Sequence, residues 1–257
     1  MNDSGHATGR ARLKLLGAFD LESDGEHVEV PLGTQRLICF LAFQGGRHVR
    51  RSYVSGSLWP DAEEPRAQAS LRSTLWRVPI CGKLPIVSAT STDLWLSPEL
   101  EVDLTLATDR GRQLLDLHST DPNRIDPMAE LGAFTSDVLV GWYDDWLDVE
   151  RERFRQLRLH VLDELGELLL RAGRYADAVE VGLAALAADS LRESAHRLLV
   201  RAHLSEGNLS EAMRQYRICA SVLGRELGVR PSAAMEQLIS EALATNASPR
   251  AMHRRTA

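Results

Sequence analysis

Paired cysteines are missing from this sequence. Its 257 residues hold three, Cys39, Cys81 and Cys219, odd in number and far apart. They supply neither a disulfide framework nor a CxxC half of a zinc module, and reduced thiols in a cytoplasm fit them better. Long apolar runs are missing too: nowhere do the roughly 18 consecutive apolar residues of a membrane helix occur. The opening stretch MNDSGHATGRAR lacks the apolar core of a secretion signal and reads as a short disordered tail. There is no phosphate loop of the GxxxxGKS/T type, no GxGxxG after a strand, no HExxH and no GxSxG. The eight histidines are scattered; His196 and His203 lie seven apart on one predicted helix, without a third ligand at metal spacing. No catalytic residue, cofactor or metal is expected, and no membrane partner.

What remains is an ordinary globular composition, with 44% hydrophobic and 26% charged residues. At about 150 residues per domain, the length suits one large or two medium domains. The net charge of −6 would by itself argue against nucleic acid, but its distribution argues otherwise. Residues 1–100 hold 11 basic and 11 acidic side chains, whereas residues 101–257 hold 19 and 25. Within 30–83, eight basic residues (Arg36, Arg47, Arg50, Arg51, Arg66, Arg72, Arg77, Lys83) face only Asp61, Glu63 and Glu64. A locally basic stretch in an acidic chain is compatible with a DNA-facing module joined to a module of different charge.

The local patterns divide the chain similarly. Residues 13–21 and 27–32 are β-like runs separated by the turn signal SDGE. The segment TQRLICFLAFQGGR repeats apolar residues at helical spacing until Gly45-Gly46 stops it. A shorter helix is predicted over 53–59, ended by Pro60. Pro65 then opens a third helix, RAQASLRSTLWRV, which Pro79 stops. Residues 86–88 and 94–96 flank ATSTD as a hairpin. This is the order of a winged helix-turn-helix.

Beyond it the sequence is helical: residues 104–117, a breaker-rich loop at 118–127, a helix near 128–134 and a long amphipathic run over 144–171. Gly173-Arg-Tyr-Ala-Asp-Ala178 and Gly207-Asn-Leu-Ser-Glu-Ala212 are 34 residues apart, a register that also pairs Leu165 with Leu199 and Ala185 with Cys219. Small residues at that period mark tetratricopeptide-like helix pairs. Two copies need neighbours to bury their faces, so helices near 144–154 and 231–244 are expected as caps. The predicted fold is mainly α: an α+β winged helix-turn-helix domain over 11–106 and an all-α tetratricopeptide-like domain over 107–244, with disordered tails at 1–10 and 245–257.

The third predicted helix carries the chemistry. Ala67, Leu71, Leu75 and Val78 share one face, while Arg66, Ala69, Arg72, Ser73, Trp76 and Arg77 cover most of the other. A recognition helix needs that division, because an apolar stripe docks it and free guanidinium groups can bond guanine edges or phosphates. Arg66, Arg72, Ser73, Trp76 and Arg77 are therefore the candidate DNA-reading residues. An amphipathic helix with a solvated basic face has the same pattern; the strand–helix–helix order before it and the hairpin after it favour the DNA reading. Arg47, Arg50 and Arg51 before the second helix, and Thr90, Ser91 and Thr92 at the hairpin tip, are candidates for backbone or minor-groove contact, and a solvated loop accounts for each nearly as well. Trp142, Tyr143 and Trp146 read as core rather than a stacking site. Asp144, Asp145, Asp148 and Glu150 read as i,i+4 partners of Arg151, Arg153 and Arg155. An interaction adaptor whose winged helix binds protein instead of DNA is the alternative.

The pieces LKLLGAFDLESDG, VPLGTQRLICFLAFQGGRHV, LWPDAEEPRAQASLRSTLWRV and DLWLSPELEVDL, in that order, resemble the N-terminal winged helix of the Streptomyces antibiotic regulatory proteins (SARPs). GWYDDWLDVERERFRQLRLHVLDELGELLLRAGRYADAV and the stretch from DSLRESAHRL to GVRPSAAMEQL resemble their bacterial transcriptional activation domain. The resemblance covers residues 11–244. It implies an activator in the cytoplasm, associated with the nucleoid, that binds direct repeats in promoter DNA through an OmpR-like winged helix. A second copy would bind side by side on DNA, RNA polymerase holoenzyme would be recruited, and secondary-metabolite (antibiotic) genes would be controlled. The chain departs from the family pattern in three places. Arg50 stands where a capping Ser or Thr is common, which exchanges a cap contributing about 1 kcal/mol for a phosphate contact. The recognition helix closes on Trp76 and Pro79 instead of further basic residues. No ATPase segment follows residue 244, as expected of the short stand-alone form of the family or of an excised portion of a longer regulator.

Overall fold

The computed structural model describes residues 11–116 and 126–247. The expected tail at 1–10, most of that at 245–257 and nearly all of the loop at 118–127 lie outside the described residues. The chain forms two compact units, one from residues 1–110 and 136–154, the other from 111–135 and 155–257.

In the first unit, β1 (Ala11–Lys14) pairs antiparallel with β2 (Asp20–Ser23), which pairs with β3 (Glu26–His27). Three helices follow: α1 (Leu32–Ala42), α2 (Arg51–Leu58) after β4 (Val49–Arg50), and α3 (Glu64–Leu75). A small hairpin of β5 (Ile80–Cys81) and β6 (Leu84–Pro85) leads to β7 (Val87–Ala89), β8 (Asp93–Leu96) and β9 (Glu101–Val102), and then α4 (Asp103–Asp116) begins. The run at 13–21, expected as one strand, folds back at Gly17, whose φ of 93° suits glycine. Its second half therefore pairs with its first instead of extending it.

Strand β9 joins β1 in parallel, with Arg12 opposite Glu101 and Leu13 opposite Val102. Alternation buries Ala11, Leu13 and Leu15. On the outer face Arg12 meets Glu101 at 2.6 Å, and Lys14 meets Asp20 at 3.2 Å. Asp103 then accepts N–H bonds from Leu15 (2.8 Å), Leu16 (3.2 Å) and Leu104 (2.6 Å), while its burial pushes the carboxyl pKa upward.

Helices α1, α2 and α3 pack on one another around buried Leu37, Ile38, Leu41, Val54, Leu58, Ala67 and Leu71. Gly45 (φ 62°) and Gly46 (φ 74°) stop the chain after α1, as the sequence indicates. Helix α3 ends earlier than expected. Arg77 and Val78 close onto Thr74 and Leu75 with N–H···O distances of 3.0 and 3.2 Å, which tightens the chain out of the α-helix. Val78 precedes Pro79, and a residue before proline is disfavoured in the helical region. Thr74, absent from the predicted apolar stripe, is buried alongside Ala67 and Leu71.

Residues 136–154 return to the first unit. Leu139 N donates to Leu15 O (2.8 Å), Gly17 N to Asp137 O (2.7 Å) and Val140 N to Gly17 O (2.7 Å). Arg151 donates to the carbonyls of Val138 (2.9 Å), Trp142 (2.8 Å) and Leu139. Trp146 packs against Phe40 (5.4 Å between centroids) and Phe43 (5.9 Å), and Trp142 stacks on Phe19 at 6.4 Å. This corrects the expectation that 144–154 caps the repeats. These residues lead into α6 (Asp145–Arg171), with Phe154 buried and half-buried Trp146 packed on Phe40 and Phe43 of the first unit.

In the second unit, α5 (Pro127–Leu131) and a 3-10 turn (Gly132–Phe134) precede the part of α6 from Arg155 onward. Helices α7 (Tyr175–Ala188), α8 (Glu193–Ser205), α9 (Leu209–Leu227) and α10 (Ala233–Ala247) follow. The 34-residue register is exact in space. Helices α7 and α9 start at 175 and 209, Gly173 (φ 73°) and Gly207 (φ 76°) terminate the preceding helices, and Arg174 N and Asn208 N bond back to Leu169 O and His203 O at 2.9 and 2.8 Å. Leu165, Ala178, Ala185, Leu199, Ala212 and Cys219 are all buried. Helix α10 closes the array by burying Met235 and Ile239 with Val200, Ala212, Cys219 and Leu223.

Candidate nucleic-acid interface

Helix α3 divides as its sequence suggests. Ala67, Leu71 and Thr74 are buried, and Arg66, Ala69, Arg72 and Ser73 are exposed. Trp76 follows the last helical residue and is 90% exposed; Arg77 is exposed in the turn after it. An exposed tryptophan of that size covers no core of its own, so it is available to a partner surface.

A concavity of about 330 Å³ lies at the foot of this face, lined by Arg50, Arg51, Ser52, Gln68, Leu71, Arg72, Ser91 and Thr92. Three elements build it. Strand β4 pairs with β8 in the three-stranded sheet β4–β8–β7, with Val49 opposite Leu94 and Arg50 opposite Asp93. The β7–β8 hairpin carries the tip residues, and Arg51 N donates to Thr92 O at 2.9 Å, joining the start of α2 to that tip. Arg50 is the N-cap residue of α2 and no side chain caps the helix. The positive end of the helix dipole therefore adds to three guanidinium groups at one place. Such a concavity suits an anionic backbone.

The candidate residues thus separate. Arg50, Arg51, Arg72, Ser91 and Thr92 come together. Thr90 stands at the same tip, but its Oγ accepts the N–H groups of Thr92 (3.3 Å) and Asp93 (3.0 Å), so the hydroxyl closes the turn. Arg47 donates from Nε to Gln44 O (3.1 Å) within its own loop. Arg66 lines a separate cavity of about 790 Å³ with Arg36, Trp59, Tyr143 and Trp146. Ser73, Trp76 and Arg77 stay on the exposed surface outside both. Sequence reasoning missed Ser52, Gln68 and Asp93. Gln68 lies one turn before Arg72, a spacing that would have placed it on the same side of the helix. Asp93 became visible only through strand pairing.

Other readings resolve in geometry. Asp144 pairs with Arg36 in place of a neighbour on its own helix, while Asp148–Arg151 (3.9 Å) and Glu150–Arg153 (2.5 Å) pair at i,i+3 in place of the expected i,i+4. Tyr143, grouped with the core tryptophans by its spacing, is 93% exposed. His196 is buried; Gln215 Nε2 donates to its Nδ1 at 2.7 Å, so its Nε2–H donates to Ser190 O at 3.1 Å. Burial holds the His196 pKa below its usual range. Among the described residues, no helix is long and apolar enough to cross a membrane.

Residues 126–243 match the bacterial transcriptional activator domain family. Regulatory protein AfsR of Streptomyces coelicolor is 29% identical over 241 residues, a match spanning 90% of this chain and 24% of that protein. Its Streptomyces griseus counterpart is 26% identical over 232 residues, spanning 88% and 24%. The chain thus spans about a quarter of the length of the curated relatives it matches. Mycobacterium tuberculosis EmbR, solved in complex with a low-affinity phosphopeptide, shares the fold with a TM-score of 0.76 at 18% identity, over 92% of this chain and 66% of that one. Residues 126–243 thus match the bacterial transcriptional activator domain, and the chain is similar to AfsR along most of its own length, a likeness accompanied by a winged helix followed by tetratricopeptide-like helix pairs.

Proposed function

We propose that this chain binds promoter DNA through the exposed face of α3 and the adjoining concavity, and activates transcription by recruiting RNA polymerase holoenzyme. The observation that carries the reading is the convergence of Arg50, Arg51 and Arg72 with Ser91 and Thr92 in one concavity of a net-acidic chain. Arg72 projects from α3 as a base-reading side chain, and Arg50, Arg51 and the tip hydroxyls hold the flanking phosphates. Binding to direct repeats, a side-by-side second copy, control of secondary-metabolite genes and a place on the nucleoid in the cytoplasm rest on the resemblance to the Streptomyces antibiotic regulatory proteins. Gel shifts of the full chain on promoter and scrambled duplexes test the reading. Affinity that favours the promoter and falls steeply with salt supports it, since each neutralised phosphate contributes a log–log slope of about −0.9. Equal, salt-insensitive affinities would favour the protein-adaptor alternative. Transcription from that promoter in vitro, with and without the chain, tests activation.

A further inference from the structure

We infer that Asp93 is a positioning residue that holds Arg50 and the hairpin tip and limits how tightly the surface takes up DNA of any sequence. The inference rests on the DNA-binding reading above.

In the β4–β8 ladder, Val49 and Leu94 face each other on the buried side, and Arg50 and Asp93 on the outer side. The Asp93 carboxylate is divided between two elements. Its Oδ1 stands 3.6 Å from Arg50 Nε, and its Oδ2 accepts the Thr92 hydroxyl at 2.5 Å. Thr90 completes the turn by donating its backbone N–H to Asp93 O at 2.9 Å. The Asp93 side chain is 24% exposed and that of Arg50 is 70% exposed, so a largely covered carboxylate sits under a guanidinium that is open to solvent. Arg50 and Thr92 both line the concavity with Arg72; Asp93 does not.

The energetics follow from charge. A phosphate that recruits Arg50 competes with Asp93 for it and meets the repulsion of a nearby carboxylate. That opposes binding to every duplex alike, because all duplexes present phosphates. Base contacts from α3 are untouched. Asp93 therefore weakens specific and non-specific binding by the same factor, lowering uptake of every duplex and leaving the ratio of the two affinities unchanged.

The test compares the full chain with Asp93→Asn, Asp93→Glu, Arg50→Ala and the Asp93→Asn/Arg50→Ala double variant, each checked by thermal melting. Two probes are used: a duplex enriched by the wild-type chain from a random-sequence pool, and a scrambled duplex of the same composition. Asp93→Asn is expected to strengthen scrambled-duplex binding about threefold to tenfold and to steepen its salt slope by about one. The enriched duplex gains by the same factor, so the ratio holds. In the Arg50→Ala background the Asp93→Asn gain drops below about twofold, and Asp93→Glu keeps the wild-type slope. An unchanged scrambled-duplex affinity in Asp93→Asn, an equal gain without Arg50, or an Asp93→Glu slope as steep as that of Asp93→Asn overturns the role of Asp93 while leaving DNA binding intact. A wild-type chain that prefers no duplex overturns the DNA-binding reading, and this inference with it.

Discussion

Arg72 and Arg77 look equivalent on a helical wheel, yet only Arg72 projects from regular α-helix and lines the concavity; Arg77 lies in the turn that Pro79 imposes. Under the proposed function, Arg72→Ala should weaken binding to the enriched duplex by about 1–3 kcal/mol and relax the base preference opposite it. Arg77→Ala should weaken all duplexes alike and reduce the salt slope by about one. Competition gel shifts across salt separate the two, and an unaltered enriched-site affinity for Arg72→Ala would sink its assignment. His196 makes a prediction about stability. Its folded pKa lies below the ordinary 6.5 because burial disfavours the imidazolium. As pH falls below 6.5, the unfolded chain takes up a proton that the folded chain resists, so the stability present above 6.5 is lost progressively on acidification. Urea unfolding at pH 7.5 and pH 5.5, followed by a probe in the second unit, should show that loss, and His196→Asn should reduce it.

Helix crossings supply the prediction at the scale of elements. A Cβ at Gly166 of α6 would overlap the buried Leu198 side chain of α8, and one at Gly182 of α7 would come within 2.8 Å of Leu199 Cδ2. Gly224 of α9 has only Val229 O near, at 4.0 Å. Intrinsic helix propensity favours alanine over glycine by about 1 kcal/mol at each. Gly224→Ala should therefore stabilise by about 0.5–1 kcal/mol, whereas Gly166→Ala should destabilise by about 1–3 kcal/mol as overpacking outweighs propensity. Denaturant midpoints decide it; a stabilising Gly166→Ala would mean that the α6–α8 crossing is looser than described. The repeat could be read in advance because Gly173 and Gly207 stop helices at a fixed period. Gly166 and Gly182 escaped notice because their 34-residue counterparts, Val200 and Tyr216, are large.

At the scale of the whole molecule, the proposed function has one winged helix reading a single half-site, which limits its specificity. Two chains on direct repeats about one helical turn (10–10.5 base pairs) apart would lie on one side of the duplex and touch each other. Such head-to-tail contact need not form a stable dimer off DNA. Inserting about five base pairs between the repeats should turn one chain to the opposite side and abolish cooperative binding. A cooperative isotherm that survives the insertion would show that tandem geometry plays no part.

Several features follow from sequence alone because their causes are local. Proline and glycine placement fixed where α1, α2 and α3 stop to within a few residues, apolar spacing selected the docking face of α3, and small residues at a 34-residue period set the register of α7 and α9. The pairing of β1 with β9, the return of residues 136–154 to the first unit and the joining of β4 to the hairpin depend on partners 40 to 130 residues away. No local pattern encodes such partners, because a short strand's backbone groups can pair with any exposed edge. Only tertiary packing therefore decided which arginines converge, sending Arg50, Arg51 and Arg72 to one concavity and Arg66 to another, and setting the Asp93 carboxylate beneath Arg50.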